Sequence, residues 1–172
     1  MNKLITTREA ISLLHKVGCS PSVIKHCKSV SNLAVKLAGS LKNCDKIDME
    51  LVKIGGLLHD IGRSKTHKID HGLVGADIVR SFGLSESIIR IVERHVGTGI
   101  PADEAVKLGL PNRDFIPETL EEKIVSYADK LIENNHEVSY DEALKSLSSK
   151  FGDTHSIVNR FRQFYTQLGI GA

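Results

Sequence analysis

The sequence predicts an all-α fold. Three observations carry that reading. Apolar residues recur at helical spacing through most of the 172 residues, capping signatures precede those runs, and no stretch alternates apolar and polar residues for long enough to make a useful strand.

Taken in order, Thr6-x-x-Glu9 is a capping box that opens a helix with Ala10, Ile11, Leu14 and Val17 on one face, and Gly18 ends it. Ser20 is the next N-cap, with Pro21 at the first helical position, where its missing N–H costs nothing. This second helix points Ile24, Cys27, Ala34, Leu37 and Leu41 inward. After a polar connection, Asp48 caps a third helix with Leu51, Ile54, Leu58 and His59 on its apolar side, and Gly62 stops the run. Gly62 to Ile69 is basic and reads as a loop. Asp70 caps a fourth helix through Val74, Ile78, Val79 and Phe82. Ser85 caps a fifth with Ile88, Ile89 and Val92, ending near Gly97.

Residues 97–117 hold three of the four prolines and read as an exposed excursion with one short helix, Ala102 to Leu108. Long loops of this kind often form lids or substrate walls. Thr119-x-x-Glu122 is a second capping box, before Ile124, Val125, Ala128, Leu131 and Ile132. Ser139-x-x-Glu142 opens a further helix, and Asp153 or Thr154 starts a last one. That last helix carries Phe161, Phe164, Tyr165 and Leu168, a stripe suited to a core or to a homodimer contact.

Residues 1–172 are expected to form one unit, with its core at about 20–134. A formal net charge of +2 is too mild to point to nucleic acid, but it does not repel a phosphorylated small molecule. No apolar run reaches spanning length and no signal-peptide pattern opens the chain, so no membrane association is expected. The loosely spaced cysteines, Cys19, Cys27 and Cys44, form no CxxC pair and fit reduced thiols in the cytoplasm.

The chemistry centres on His59-Asp60. Imidazole and carboxylate are good ligands for a divalent metal, but two groups do not hold one. His26 lies on the inner face of the second helix, and Asp129 sits among apolar neighbours where a lone carboxylate is costly without a positive partner. His71 and His95 stand at helix ends, from which side chains can converge on a cavity. The order along the chain is then His, His-Asp, His, His, Asp. Six groups serve two ions if Asp60 bridges them, and paired ions about 3.5–4 Å apart activate water and stabilise a leaving oxygen.

These residues resemble the HD-domain superfamily of metal-dependent phosphohydrolases. The resemblance rests on His26, His59-Asp60 and Asp129, the last within Tyr127-Ala128-Asp129-Lys130, and it spans roughly Ser20 to Asn134. Asp60-Ile61-Gly62-Arg63, followed by His71 and His95, is similar to the binuclear branch, which includes cyclic-dinucleotide phosphodiesterases and hydrolases of dinucleoside polyphosphates. Arg63 stands where those relatives often carry lysine, and its planar fork suits phosphate. Gly97-Thr98-Gly99-Ile100-Pro101 replaces the Gly-Tyr-Pro signature of the cyclic-dinucleotide enzymes, which argues against that substrate.

The resemblance implies hydrolysis of a phosphoester or phosphoanhydride, in a nucleotide, by a metal-activated hydroxide. His26, His59, Asp60, His71, His95 and Asp129 would hold one or two ions of manganese, iron, cobalt, nickel or zinc. Asp60 and Arg63 would act in catalysis, and Arg63, Lys65, Arg94 and Lys130 are candidate substrate contacts. Arg94 and Lys130 flank proposed ligands, and neighbours on a helix point about 100° apart, so each is also a candidate to face away. His15, His67, His136 and His155 have no matching context. Two alternatives stay open at this point: a di-iron oxygenase built on the same six groups, and a non-catalytic nucleotide sensor.

Overall fold

The computed structural model describes residues 5–170, and nine α-helices lie among them. They are α1 (Thr7–Lys16), α2 (Pro21–Ser40), α3 (Met49–Leu58), α4 (His71–Ser81), α5 (Glu86–Arg94), α6 (Ala102–Lys107), α7 (Leu120–Lys130), α8 (Tyr140–Phe151) and α9 (Ser156–Gln167). The all-α class follows. The side chains of Thr6, Ser20, Asp48, Ser85, Thr119 and Ser139 each accept a backbone N–H from the first turn of the helix they precede. Each cap satisfies a donor that the helix itself leaves orphaned.

Several local expectations change. Asp70 makes no cap bond; its Oδ1 accepts the Thr66 hydroxyl instead. Glu122 does not close a capping box with Thr119, because its carboxylate reaches one residue further back, to the Glu118 N–H. The last helix begins at Ser156 rather than at Asp153 or Thr154, and the His155 ring accepts the Ile157 N–H. Ile132 leaves the helix for a small antiparallel hairpin, β1 (Ile132–Glu133) with β2 (His136–Glu137). Asn134 and Asn135 turn it with φ of 50° and 64°, which is the left-handed geometry tight hairpins need and asparagine tolerates.

Residues 97–117 are less exposed than their composition implies. Val96, Ile100, Ala105 and Phe115 are buried together in a small core of their own. Ile100 and Phe115 exchange backbone hydrogen bonds across the segment.

Two larger cores flank the centre of the molecule. Val30, Leu33 and Ala34 of α2, Ile124, Val125 and Ala128 of α7, and Phe161 and Phe164 of α9 fill the first. Leu14 of α1, Ile24 and Cys27 of α2, Ile54, Leu57 and Leu58 of α3, Val79 of α4 and Ile88 and Val92 of α5 fill the second. Burying one such Leu or Ile contributes about 1.5–3 kcal/mol. The aromatic stripe of α9 is core: Phe161 stacks on both Tyr127 and Tyr140, with centroids 5.1 and 5.4 Å away.

Gly62 has a different role from the expected stop. The α3 helix already ends at Leu58, and Gly62 lies within a 3-10 turn, Ile61–Ser64. A Cβ on Gly62 would lie 1.9 Å from the His71 carbonyl oxygen, so only glycine lets this turn press against the start of α4. Gly56 similarly admits the α2 backbone, since a Cβ there would lie 2.7 Å from the Ser31 Cα.

Candidate metal centre

Five helices deliver the six groups. His26 comes from α2, and His59 and Asp60 from the two residues after α3. His71 is the first residue of α4, His95 caps the C-terminus of α5, and Asp129 is the penultimate residue of α7. All six meet around Asp60. Its Oδ1 lies 3.3 Å from Nε2 of both His71 and His95. Its Oδ2 lies 3.8 Å from Nε2 of both His26 and His59. Asp129 Oδ1 closes the second side, 2.9 Å from His26 Nε2 and 3.4 Å from His59 Nε2.

The imidazoles are aimed by their own backbone. Nδ1–H of His59 donates to the Gly56 carbonyl, that of His71 to Lys68 and that of His95 to Val92, each at 2.7 Å. For His59 and His95 the acceptor is a carbonyl of the last helical turn, which has no partner within the helix. One bond thus satisfies the helix end and fixes the tautomer, leaving the Nε2 lone pair turned to the centre.

The consequence is electrostatic. His71 Nε2 and His95 Nε2 are 3.2 Å apart. With the Nδ1 protons of both rings committed to backbone carbonyls, the two Nε2 atoms are left facing each other and Asp60 Oδ1. His59 Nε2 and Asp60 Oδ1 are buried without a hydrogen-bond partner. A cation between these atoms removes both problems. Two sets of donor atoms are close enough to hold one: His26, His59 and Asp129, and His59, Asp60 and His95.

Ionisation agrees with that donor set. Burial pushes the Asp60 carboxyl up, but the facing His59, His71 and His95 rings outweigh it and hold its pKa well below the ordinary value. Burial also opposes charge on Asp129, and Lys130, His26 and His59 overcome it. For His95, burial lowers the pKa to about 4, reinforced by His59 and His71. Both carboxylates are therefore charged and His95 is neutral near pH 7, as ligation requires.

The centre opens into a cavity of about 310 Å³. Arg63, Lys68, Lys130 and Lys150 line it, with Asp129 as the only carboxylate among the lining residues. Arg63 donates from Nε to Asp60 Oδ2 at 2.8 Å. Lys130 curls back onto Asp129 Oδ2 and lines the cavity rather than facing away. Arg94 does face away: Glu118 and Glu122 hold its guanidinium at 2.9 and 3.1 Å, and it does not line the cavity. Lys65 is exposed and also lies outside the lining.

Sequence reasoning passed over His67, Lys68, Lys150 and Phe151, which do line the cavity. Lys68 belonged to the basic run already noted. Lys150 and Phe151 sit on α8, far along the chain, and carry no local signal. His15 and His136 are exposed and outside the centre.

Fold and donor set define a helical protein with a His/Asp centre whose groups could hold a cation. The HD domain model matches residues 23–134, and the chain belongs to the HD domain family. An uncharacterized protein of Methanocaldococcus jannaschii is 48% identical over 153 residues, 88% of this chain and 90% of that one. A tRNA (cytidine(56)-2'-O)-methyltransferase of Picrophilus torridus is 37% identical over 160 residues, 93% of this chain but 45% of that protein. Among solved structures, the HD domain of the L. monocytogenes phosphodiesterase PgpH, in complex with cyclic-di-AMP, superimposes with a TM-score of 0.56 at 20% identity. That match covers 93% of this chain and 97% of the other.

Proposed function

We propose that this chain hydrolyses a phosphoester or phosphoanhydride in a small phosphorylated molecule, a nucleotide, using one or two divalent transition-metal ions. The observation that carries the reading is the facing pair of His71 and His95 Nε2 atoms beside the unpartnered Asp60 Oδ1, at the floor of a cationic cavity. Mixed nitrogen and oxygen donors suit manganese, iron, cobalt, nickel or zinc better than calcium. When bound, such ions supply Lewis acidity and bring the pKa of a water toward neutrality.

The chain's own residues do the rest. Asp60 presents one oxygen to each pair of histidines and so would tie two ions together. Asp129 completes the His26 and His59 side. Arg63 and Lys130 stand at the lip, where a phosphoryl group gains negative charge as it reacts, and they would stabilise that charge. The fold likeness to a phosphodiesterase domain that holds a cyclic dinucleotide is in keeping with this reading. The methyltransferase name is not carried over, since the match spans less than half of that protein. No helix among the described residues is long and apolar enough to cross a membrane, and the free thiols of Cys19, Cys27 and Cys44 fit a cytoplasmic setting.

The test is direct. The full chain is loaded with each metal, its content measured, and phosphate or monoester release followed with mononucleotides, dinucleoside polyphosphates, cyclic dinucleotides and short RNA. Turnover that a chelator abolishes supports the proposal. A filled centre that turns over none of these overturns it, and oxygen consumption by the iron form would favour the oxygenase.

A further inference from the structure

A second pocket of about 440 Å³ adjoins the metal cavity. Ile69, Val96, Gly97, Phe151 and Ile157 line both, so the two share a wall. Their chemistry differs. The first is ringed by cations around a carboxylate and histidine floor. The second is walled mainly by Ile69, Ile100, Leu108, Phe151 and Ile157, with Glu104, Lys107 and His155 as its polar groups.

Exposed apolar side chains concentrate here. Five large ones are exposed among the described residues, and three of them, Ile69, Leu108 and Phe151, face this pocket. Leaving them in water forfeits burial that a ligand would restore. The Phe151 and His155 rings pack on one another in this wall, 5.3 Å apart and tilted by 36°, with Lys150 Nζ 5.3 Å from the Phe151 ring centre.

The walls are tied in place. Thr98 Oγ1 donates to the Ile157 carbonyl at 2.9 Å, and Arg160 donates to the Gly99 carbonyl at 2.6 Å. Ser156 Oγ donates to Glu104, which fixes α6 against the start of α9. A preformed, mostly apolar pocket with a few polar groups is the usual form of a small-molecule site.

We infer that this pocket receives the nucleobase of the substrate while its phosphate lies over the metal centre. The inference rests on the phosphohydrolase reading and adds the substrate's second half. Phe151 and Leu108 would sandwich the flat ring. Glu104 and Lys107 would offer an acceptor and a donor to its polar edge, a pairing that heteroaromatic bases satisfy and alkyl chains do not. The charge division matches: a nucleotide is anionic at one end and flat and weakly polar at the other.

The experiment uses the full chain loaded with Mn²⁺ and calorimetric titration with three probes: AMP, ribose 5-phosphate and hexyl phosphate. AMP is expected to bind about tenfold more tightly than ribose 5-phosphate, which keeps the phosphate and sugar but lacks the ring. Phe151→Ser and Leu108→Ser are each expected to weaken AMP by about fivefold to tenfold and to leave ribose 5-phosphate within about twofold. Both side chains are more than a third exposed, at 38% and 47%, so neither change threatens folding. Equal affinity for AMP and ribose 5-phosphate, or equal losses in the variants, overturns the base pocket and leaves the phosphohydrolase reading standing. Hexyl phosphate binding as tightly as AMP overturns it in favour of an aliphatic substrate. Absence of binding by all three probes, with the metal in place, overturns the base pocket, and the turnover screen alone decides the phosphohydrolase reading.

Discussion

The two sides of the centre solve the same problem differently. Around Asp129, the chain neutralises itself: His26 Nε2 sits 2.9 Å from Oδ1, and Lys130 holds Oδ2. Around Asp60 Oδ1, it does not: His71 and His95 present their Nε2 atoms and no donor answers them. On the first side the carboxylate is answered without metal, although His59 Nε2 beside it is not. The second is costly until a cation arrives. Buried polar groups left unpaired typically cost about 1–3 kcal/mol each, and each side carries one, His59 Nε2 beside Asp129 and Asp60 Oδ1 beside His71 and His95.

The largest effect should come from the residue both sides share. Asp60→Asn is expected to lower turnover by about a thousandfold, roughly 4 kcal/mol on the barrier, and to reduce bound metal in elemental analysis. Full metal content in that variant would remove Asp60 from the bridging role.

Next in size is Gly62→Ala, which sets a methyl against the His71 carbonyl. Destabilisation of about 3 kcal/mol is expected by chemical denaturation, together with weakened metal binding, because α4 must shift and carry His71 with it.

The sharpest comparison pairs Asp129→Asn with His95→Gln in metal-free protein. Asp129→Asn deprives Lys130 and His26 of their anion and should destabilise by about 1–3 kcal/mol. His95→Gln replaces a facing lone pair with an amide that can donate to His71 or Asp60, and should be neutral or stabilising by up to about 1 kcal/mol. Both should lose the rise in Tm that Mn²⁺ confers on the wild type. Equal and opposite roles vanish if the two variants unfold alike in chelator.

Acid should separate the sides further. The folded pKa of His95 is about 4 against an ordinary 6.5, and burial is the main cause. Between those values the unfolded chain binds the extra proton, so this group's contribution to stability is present above pH 6.5 and drains away as pH falls toward 4. The limiting size is on the order of 3 kcal/mol. Metal-free His95→Gln should therefore show a flatter acid slope than wild type in denaturation midpoints. The smallest expected effect is that of Arg94→Ala, which should leave KM within about twofold, since Glu118 and Glu122 already occupy that guanidinium.

Much of this was readable from the chain because its signals are local. Ser20-Pro21, Asp48, Ser85 and Ser139 announce helix starts within a few residues, and the helices form where they say. The six His and Asp groups were legible as a set, and they do converge. What escaped depends on elements far apart in sequence. Gly62 looked like a helix stop because nothing nearby reveals the His71 carbonyl pressing on it. Lys150 and Phe151 enter the cavity only because α8 folds over it. Lys130 takes the inward one of the two orientations left open for it, because the reach of a long side chain outweighs the 100° step from Asp129. The hairpin at Asn134-Asn135 did leave a signal, two consecutive residues tolerant of positive φ, but its strands are only two residues each.

The cavity wall crosses the end of the family segment. The shared family segment stops at residue 134, yet Leu147, Lys150, Phe151 and Ile157 build part of the wall around the centre. The wall around the centre is thus drawn from both sides of that boundary, with Arg63, Lys68 and Lys130 from within it.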